Sequence, residues 1–405
     1  MPNVGGNNFG TSNRVALRQV EETIWGTTPA TPTLKAIRFT SESLNYNASF
    51  ITSEEIRADR MTPDTIQVSS QAGGDINCEW SYGTYDDFIA AALYGQWADT
   101  GTTITDDTAF AITKTSGTPN VWTLDNASTD LSAQSWAVGQ FLKIEGFATA
   151  GTFFAEITEI TAGAVTIAPL SDVATEAAGD AVTVTPMGYV RNGTTKCSFS
   201  IQKAFTDLNT PELWNFTGSR ISTWNLELAT GSILTTSFGV LSQDANMTET
   251  QFSGATITPA NTNTVLNAVD NIASIVFDGD PGGSTFFFNS LSVALDNSLR
   301  GQEAVGTLGL IGVEAGRLAV TGAVELYFEN STLFDRFRAA AAFSLSFLAQ
   351  DAQGNSYIVT IPRAKYTSME IVAGGTDQDI FASAQFEGII NAAGTHQYQI
   401  SRLSA

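Results

Sequence analysis

The chain is poor in the residues that most catalytic and metal chemistry requires. A single histidine, His396, occurs in 405 residues, with no conspicuous partner near it. That removes His-based triads, His-containing zinc clusters and most imidazole general-base schemes. The two cysteines, Cys78 and Cys197, fall at inward positions of predicted strands. They read as reduced, buried thiols, with a disulfide between neighbouring strands as the lesser alternative. Basic residues are scarce as well: 19 Lys plus Arg stand against 41 Asp plus Glu, for a net charge of −22. No Lys/Arg run occurs, which argues against holding nucleic acid or an anionic membrane by attraction. An acidic surface can be a solubility device, the reading composition favours, or a surface that lets a polyanion pass without sticking. No run of eighteen apolar residues exists to span a membrane. The opening MPNVGGNNFG has neither a basic start nor an apolar core, so no secretory signal is expected. The phosphate-cradling motifs GxGxxG, at a strand–helix junction, and GxxxxGK[ST] are absent. With 43% hydrophobic residues and a mean hydropathy near zero, the chain reads as soluble and globular, with room for two or three domains.

What the chain does contain is organised around residues 73–97. Ile76, Cys78, Trp80 and Tyr82 alternate with polar residues at period 2, which predicts a strand. After Gly83 the apolar positions Tyr85, Phe88, Ile89, Ala92, Leu93 and Trp97 take helical spacing. Thr84 followed by Asp87 has the form of a capping box with Asp in place of Glu, which predicts a helix start there.

This strand–helix unit occurs twice. The second copy covers residues 321–342, with Gly74, Thr84, Asp87 and Ile89 matching Gly322, Thr332, Asp335 and Phe337, each 248 residues on. Thr332 and Asp335 are thus the second candidate cap pair. Upstream the offset becomes 249, pairing Tyr46 with Leu295 and Glu54 with Glu303; downstream CSFSI (197–201) matches FSLSF (343–347) at 146. The drop says that copy one carries about a hundred residues that copy two lacks. A tandem duplication with a domain inserted into copy one follows.

In chain order, residues 1–34 read as an extended arm, polar and carrying Pro29 and Pro32. Copy one takes 35–98 and 187–247. Within it the charged stretch EEIRADR (54–60) is too polar for core, and its surroundings are too rich in Ile and Val for a free linker. A long exposed hairpin or loop touching something else fits. Residues 99–186 are Thr-, Ala- and Gly-rich with short strand-like runs, as in a small all-β barrel or sandwich. Residues 248–267 read as a Thr/Asn-rich linker and 268–405 as copy two. Each copy is expected to be a mainly antiparallel β domain with one helix laid on it, so the fold class is mainly β.

The tempting motifs weigh little. Asp278 and Asp280 alternate as calcium ligands can, but the later glutamate of a full loop is missing, and a plain turn explains them better. Asp86 and Asp87 point in different directions on a helix, so capping and dipole complementarity explain them better than paired acid catalysis. The aromatics Trp80, Tyr82, Tyr85, Phe88 and Trp97 have core spacing rather than that of a stacking platform. No catalytic, cofactor-binding or metal-binding residue is assigned.

Several stretches, taken in order, resemble the major tail tube proteins of long-tailed, siphovirus-type bacteriophages. They are WGTTP (25–29), RFTSESL (38–44), EEIRADR (54–60), GGDINCEWSYGTYDDFIAAAL (73–93), TGAVELYF (321–328), LFDRF (333–337), DAQGNSYIVTIP (351–362) and GGTDQDIFASAQFEG (374–388). VGQFLKIEGF (138–147) is similar to surface domains such proteins often carry. The resemblance implies a β-sandwich with one helix, rings whose inner strands form one continuous barrel, and stacked rings that conduct double-stranded DNA through an acidic lumen. It implies contacts to neighbouring copies through the arm and the 54–60 loop, hence through Trp25, Glu54, Glu55, Arg57, Asp59 and Arg60. It also implies partners in the tape measure, tail terminator and distal tail proteins, no cofactor, and a place in the virion tail. Single-copy members of that family close as hexamers, so two copies per chain suggest a ring of three; the alternative is a ring of six chains in which one copy of each chain lies in the wall and the other outside. The competing readings are a tail-tip or capsid-decoration protein, a β-rich adhesin, which would normally carry a signal peptide, and a polysaccharide-degrading tail enzyme. Such an enzyme would show clustered carboxylates in a repetitive β-helix pattern, which this chain does not.

Overall fold

A computed structural model describes residues 10–11, 14–115, 120–277, 287–373 and 375–405. The candidate calcium turn at Asp278 and Asp280 lies outside the described residues. Copy one begins with β1 (Val15–Glu21), β2 (Thr33–Ile37), β3 (Ser41–Glu42), β4 (Asn45–Thr52), β5 (Thr65–Glu79) and the helix α1 (Asp86–Ala92). The insertion supplies β6 (Ile104–Asp107), β7 (Phe110–Lys114), β8 (Trp122–Asn126), β9 (Phe141–Phe147), β10 (Gly151–Ile160), β11 (Ala164–Pro169) and β12 (Val182–Pro186). Copy one resumes after β13 (Gly188–Arg191) with β14 (Phe199–Phe205), β15 (Glu212–Ala229), β16 (Thr235–Ser242), β17 (Asp244–Thr248) and β18 (Thr256–Thr258). Copy two holds β19 (Ile272–Phe277), β20 (Phe288–Asp296), β21 (Arg300–Gln302), β22 (Gly312–Glu314), β23 (Ala319–Tyr327) and α2 (Thr332–Arg338). It ends with β24 (Phe343–Gln350), β25 (Ser356–Val372), β26 (Phe381–Gly388) and β27 (Gln399–Leu403).

The duplication is visible in the pairing registers. Glu42 opposite Ile76 in copy one corresponds to Leu291 opposite Val324 in copy two, and Tyr46 opposite Ala72 to Leu295 opposite Val320. Phe238 opposite Ile76 corresponds to Ala384 opposite Val324. The bulges repeat too. The ladder slips between Phe199 and Ile201 in β14, and between Phe343 and Leu345 in β24. It slips again between Ile221 and Thr223 in β15, and between Tyr366 and Ser368 in β25. Phe199 therefore corresponds to Phe343, 144 residues on, and the match of residues 197–201 with 343–347 is two residues out of register. A two-residue slide leaves every side chain on the same face of a strand, so alternation alone cannot detect it.

Eight antiparallel strands form one continuous sheet across both copies, in the order β4–β5–β16–β15–β20–β23–β26–β25. Copy one contributes the first four and copy two the last four. The seam is β15 against β20, seven residues long, with Trp224 opposite Leu295. Behind this main sheet lie two outer sheets: β18–β2–β1–β14–β15–β17 for copy one and β19–β24–β25–β27–β13 for copy two.

β15 and β25 serve two sheets each: their first halves lie in the outer layer and their second halves in the main sheet. In β15 the crossing falls at Thr217 and Gly218, with Gly218 at φ +62°; in β25 it falls at Pro362 and Arg363. A glycine in the left-handed region and a proline that cannot donate to a ladder are two routes to the same bulge. The space between layers is one apolar core running through both copies, from Phe199 and Phe238 to Phe343 and Phe386. α1 fills it in copy one, with Phe88 edge-on to Phe199 of the outer layer and to Phe238 of the main sheet. The matched glycines allow close approach. A Cβ on Gly322 would lie 2.2 Å from the Phe386 ring and 2.6 Å from the Ser292 carbonyl, and one on Gly74 2.4 Å from the Ser43 carbonyl.

The insertion is a separate seven-stranded sheet, β6–β12–β9–β10–β11–β8–β7, with a core of its own. Its entry and exit abut, since Ala98 and Tyr189 exchange backbone hydrogen bonds in both directions. It does not stand free of the body. Phe141, Phe154, Leu170 and Met187 pack on Val276, Leu348 and Ile358 of copy two.

Two expected boundaries change. Val15–Glu21 is a strand of copy one rather than part of an arm, paired along its whole length with β14. Its inward position at Gln19 is a buried polar residue that donates to Asp87, so the alternation is hard to see in sequence. The 248–267 stretch is strapped across copy one: β18 pairs in parallel with β2, and the Leu266 backbone donates to the Trp80 carbonyl and accepts from the Leu234 N–H.

Candidate functional site

The feature that most resembles a functional surface is the solvent-facing side of the main sheet. Cross-strand partners share a face, so the registers trace its rows. One row runs Asn77, Ser237, Asn225, Ala294, Thr321, Glu387 and Lys365. A neighbouring row runs Glu79, Thr235, Glu227, Ser292, Ala323, Gln385 and Ser368. The flanking rows add Asp75 and Asp296 on one side, and Glu325 and Glu370 on the other. The opposite face is apolar and buried, as with Ile76, Cys78, Trp224, Leu226, Val293, Leu295 and Val324. The polar face thus carries Asp75, Glu79, Glu227, Asp296, Glu325, Glu370 and Glu387, with Lys365 as the cation among these rows. It is concave over β15, β20, β23, β26 and β25, enclosing about 650 Å³. Its acidic members could not be named from sequence, because register, not alternation, decides which strands share a row.

The second feature is the hairpin of β4 and β5. Its tip, residues 53–64, carries Glu54, Glu55, Arg57, Asp59 and Arg60, and Arg57 pairs with Asp59 at 2.7 Å. Around these charges Phe50, Ile51, Met61 and Ile66 are exposed, and Ile56 is 99% exposed. Trp25 is not part of this group. Its indole donates to the Gly218 carbonyl at 3.1 Å, where β15 changes sheets, and Arg220 lies over its ring.

The helix starts differ from the expected capping boxes. α1 begins after Tyr85 with no side-chain cap. Thr84 instead hydrogen bonds Ser81 and Asn261, while Asp87 accepts from Gln19 and pairs with Lys35. α2 begins after Ser331, again with no side-chain cap. Thr332 is its first residue rather than its cap, and Asp335 accepts from the Ser331 hydroxyl. The competing partner is distant in sequence for Thr84, which reaches Asn261, and local for Asp335, which takes the Ser331 hydroxyl. The two helices also differ in cover. α1 is buried, whereas α2 buries only Leu333 and leaves Phe334 exposed.

Asp86 joins the copies. It accepts from Tyr357 of β25 and pairs with Arg402 of β27, while Tyr357 stacks on Trp80 at 5.0 Å. Burial pushes the Asp86 carboxyl up, and Tyr357 and Arg402 draw it back down without cancelling that effect. This is a structural clamp, with no nucleophile beside it. His396 is buried beside Thr395, and burial lowers its pKa to about 4, so it is neutral at pH 7. Cys78 and Cys197 are both free thiols, and burial raises Cys78 to about 12, which makes it an unreactive thiol at neutral pH. Among the described residues no cluster of His, Cys, Asp and Glu is disposed to hold a metal, and no helix is long and apolar enough to cross a membrane.

Comparison with known proteins agrees with this geometry. A family described as phage tail tube protein matches the chain over residues 12–388. No curated protein matches it.

Proposed function

Since the chain belongs to the phage tail tube protein family, we propose that it closes into three-chain rings stacked as the hollow tube through which double-stranded DNA leaves the capsid. The family is one of structural phage tail proteins rather than enzymes, and it places the chain in the virion tail. The observation that carries the reading is the eight-stranded sheet, in which each copy contributes four equivalent strands with one acidic, concave face.

A sheet of this kind has two edges of unpaired backbone groups, and closure into a barrel with other copies satisfies them. Three chains with two copies each occupy the six positions that a single-copy tail tube protein fills with six chains. The concave face becomes the lumen, and its carboxylates repel phosphate, so DNA slides without binding. The β4–β5 hairpin, with its apolar flanks and charged tip, reaches the adjacent ring. The tape measure protein occupies the lumen before ejection, and the tail terminator and distal tail proteins close the ends.

Electron microscopy of the purified chain tests this. Uniform hollow tubes are expected, with three inserted-domain protrusions per ring. Six protrusions per ring would refute the three-chain ring, and discrete particles that never stack would favour a tail-tip or decoration role.

A further inference from the structure

The seam inside the chain is a template for the seam between chains. The second half of β15, the last main-sheet strand of copy one, has β20 on its outer side. The equivalent half of β25 has no strand on its outer side among the described residues, and neither does β4. The two open edges are therefore the counterparts of the two strands that already pair.

We infer that residues 368–372 of one chain pair antiparallel with 43–47 of the next, with Met369 opposite Tyr46 of its neighbour. The register follows from the repeat, in which Trp224 corresponds to Met369 and Leu295 to Tyr46. Trp224 opposite Leu295 thus becomes Met369 opposite Tyr46, and Leu226 opposite Val293 becomes Ile371 opposite Leu44. On the polar face, Asn225 opposite Ala294 becomes Glu370 opposite Asn45, and Thr223 opposite Asp296 becomes Ser368 opposite Asn47. Met369 and Ile371 meet Tyr46 and Leu44 on the apolar face, and Ser368 and Glu370 meet Asn47 and Asn45 on the polar face, where the exposed Val372 stands opposite Ser43. A slip by one residue would set Met369 and Ile371 against asparagines and serines. Tyr46, Met369 and Ile371 are half-buried hydrophobics at the two margins of the core, and this pairing covers them.

The same correspondence gives α2 its cover. In the internal seam α1 presents Asp86 to Tyr357 and Arg402, which stand opposite each other in β25 and β27. Their counterparts in copy one are Glu212 and Glu249, on β15 and just beyond β17. On α2, Phe334 replaces Asp86 and Arg338 lies one turn further on the same face. The charges have changed sides: acid on the helix and base on the sheet within a chain, base on the helix and acid on the sheet between chains. That complementarity selects a second copy of this chain as the occupant.

The inference rests on the ring reading, and the test separates the two. In a background with Cys78→Ala and Cys197→Ser, the pair Asn45→Cys with Glu370→Cys is oxidised in assembled tubes. It is compared with the out-of-register pair Asn47→Cys with Glu370→Cys. Disulfide geometry tolerates little separation, so the in-register pair should cross-link at least about tenfold more, up to a closed ring of three chains. Preferential cross-linking of the out-of-register pair, or tubes that cross-link with neither, would overturn the register and leave the ring standing. A map of tubes of the unaltered chain gives the same answer without substitutions: Met369 beside Tyr46 of the next chain, and Arg338 facing Glu249. A wild-type chain that never polymerises would overturn both readings.

Discussion

The Tyr357 hydroxyl of copy two donates to Asp86, the first residue of the copy-one helix, and Arg402 closes the same carboxylate from its other side. Removing that carboxylate with Asp86→Ala leaves the half-buried Arg402 guanidinium with only the more exposed Asp99 as its ion-pair partner. Loss of one member of a buried pair costs about 3–5 kcal/mol, and partial exposure of Arg402 lowers the expectation to about 2–4. Tyr357→Phe removes two hydrogen bonds, the one donated to Asp86 and the one accepted from the Gly83 N–H, about 1–2 kcal/mol together, and keeps the stacking on Trp80. Urea unfolding of unassembled chain, followed by tryptophan fluorescence, should rank the variants in that order. Equal losses would mean that Asp86 acts through Tyr357 alone and that its ion pair with Arg402 adds nothing to the joint.

Gly322 of β23 lies between β20 and β26, opposite Val293 on one side and Phe386 on the other. Gly322→Ala places a methyl group within 2.6 Å of the Ser292 carbonyl, which is backbone and cannot rotate away. A loss of about 2 kcal/mol or more in unfolding free energy is expected from overpacking. Adding Phe386→Leu should recover part of it, because the ring is the other close neighbour. No recovery in the double variant would assign the whole cost to the backbone contact.

How far the sequence reached depends on which physical signal each feature leaves. The alternation at Ile76, Cys78 and Trp80 and the helical stripe at Phe88 and Ile89 are strong, and both elements are present. The large gap between the repeats is also legible, since Ala98 and Tyr189 do abut. β1 escaped because Gln19 and, just beyond the strand, Glu22 are buried polar residues whose partners, Asp87 for the Gln19 amide N–H and Ser198 and Ser200 for Glu22, only the folded chain brings near. The helix caps failed for a related reason: Thr84 has a nearer claim in Asn261, 177 residues away. The acidic face needed eight strands in register, and no local pattern carries that.

The insertion can be cut out along the line the backbone draws. Joining Ala98 to Gly188 uses ends already hydrogen-bonded through Ala98 and Tyr189. The deletion also uncovers Val276, Leu348 and Ile358, which Phe141, Phe154 and Met187 cover. The shortened chain is therefore expected to fold but to bind a hydrophobic dye and self-associate irregularly. Polar replacements at Val276 and Leu348 should restore ordered assembly. A shortened chain that shows no cooperative unfolding with or without those replacements would mean that the insertion is needed for folding.

Glu156 faces the joint between the insertion and copy two, opposite Phe141. Burial raises its pKa to about 7, with Arg191 opposing the shift only in part. Its folded value lies above the unfolded one, so its favourable contribution is full below about pH 4.5 and is lost as pH rises through 7. Glu156→Gln should therefore stabilise the chain by about 1–3 kcal/mol at pH 8 and leave it nearly unchanged at pH 4.5. Thermal unfolding at the two pH values reads this directly. A destabilised variant at pH 8 would show that the attraction of the Arg191 charge outweighs the desolvation.

The acidic face makes a prediction about transport apart from assembly. Glu227, Glu325 and Glu370 lie on neighbouring rows of the polar face; Glu370 is itself in the proposed seam, but on its polar side opposite Asn45 and not among the apolar groups that pack there. Glu227 and Glu370 are exposed and Glu325 is half-exposed, so replacing all three with lysine leaves the core intact. Tubes of normal diameter should still form. With three new cations on each chain's face, phosphates passing through would exchange their counterions for lysines and stick, most strongly at low salt. Phage carrying the triple variant should then adsorb normally but release DNA slowly, with the defect relieved as salt rises in an in vitro ejection assay. Ejection at the wild-type rate across that salt range would show that this face does not meet the DNA.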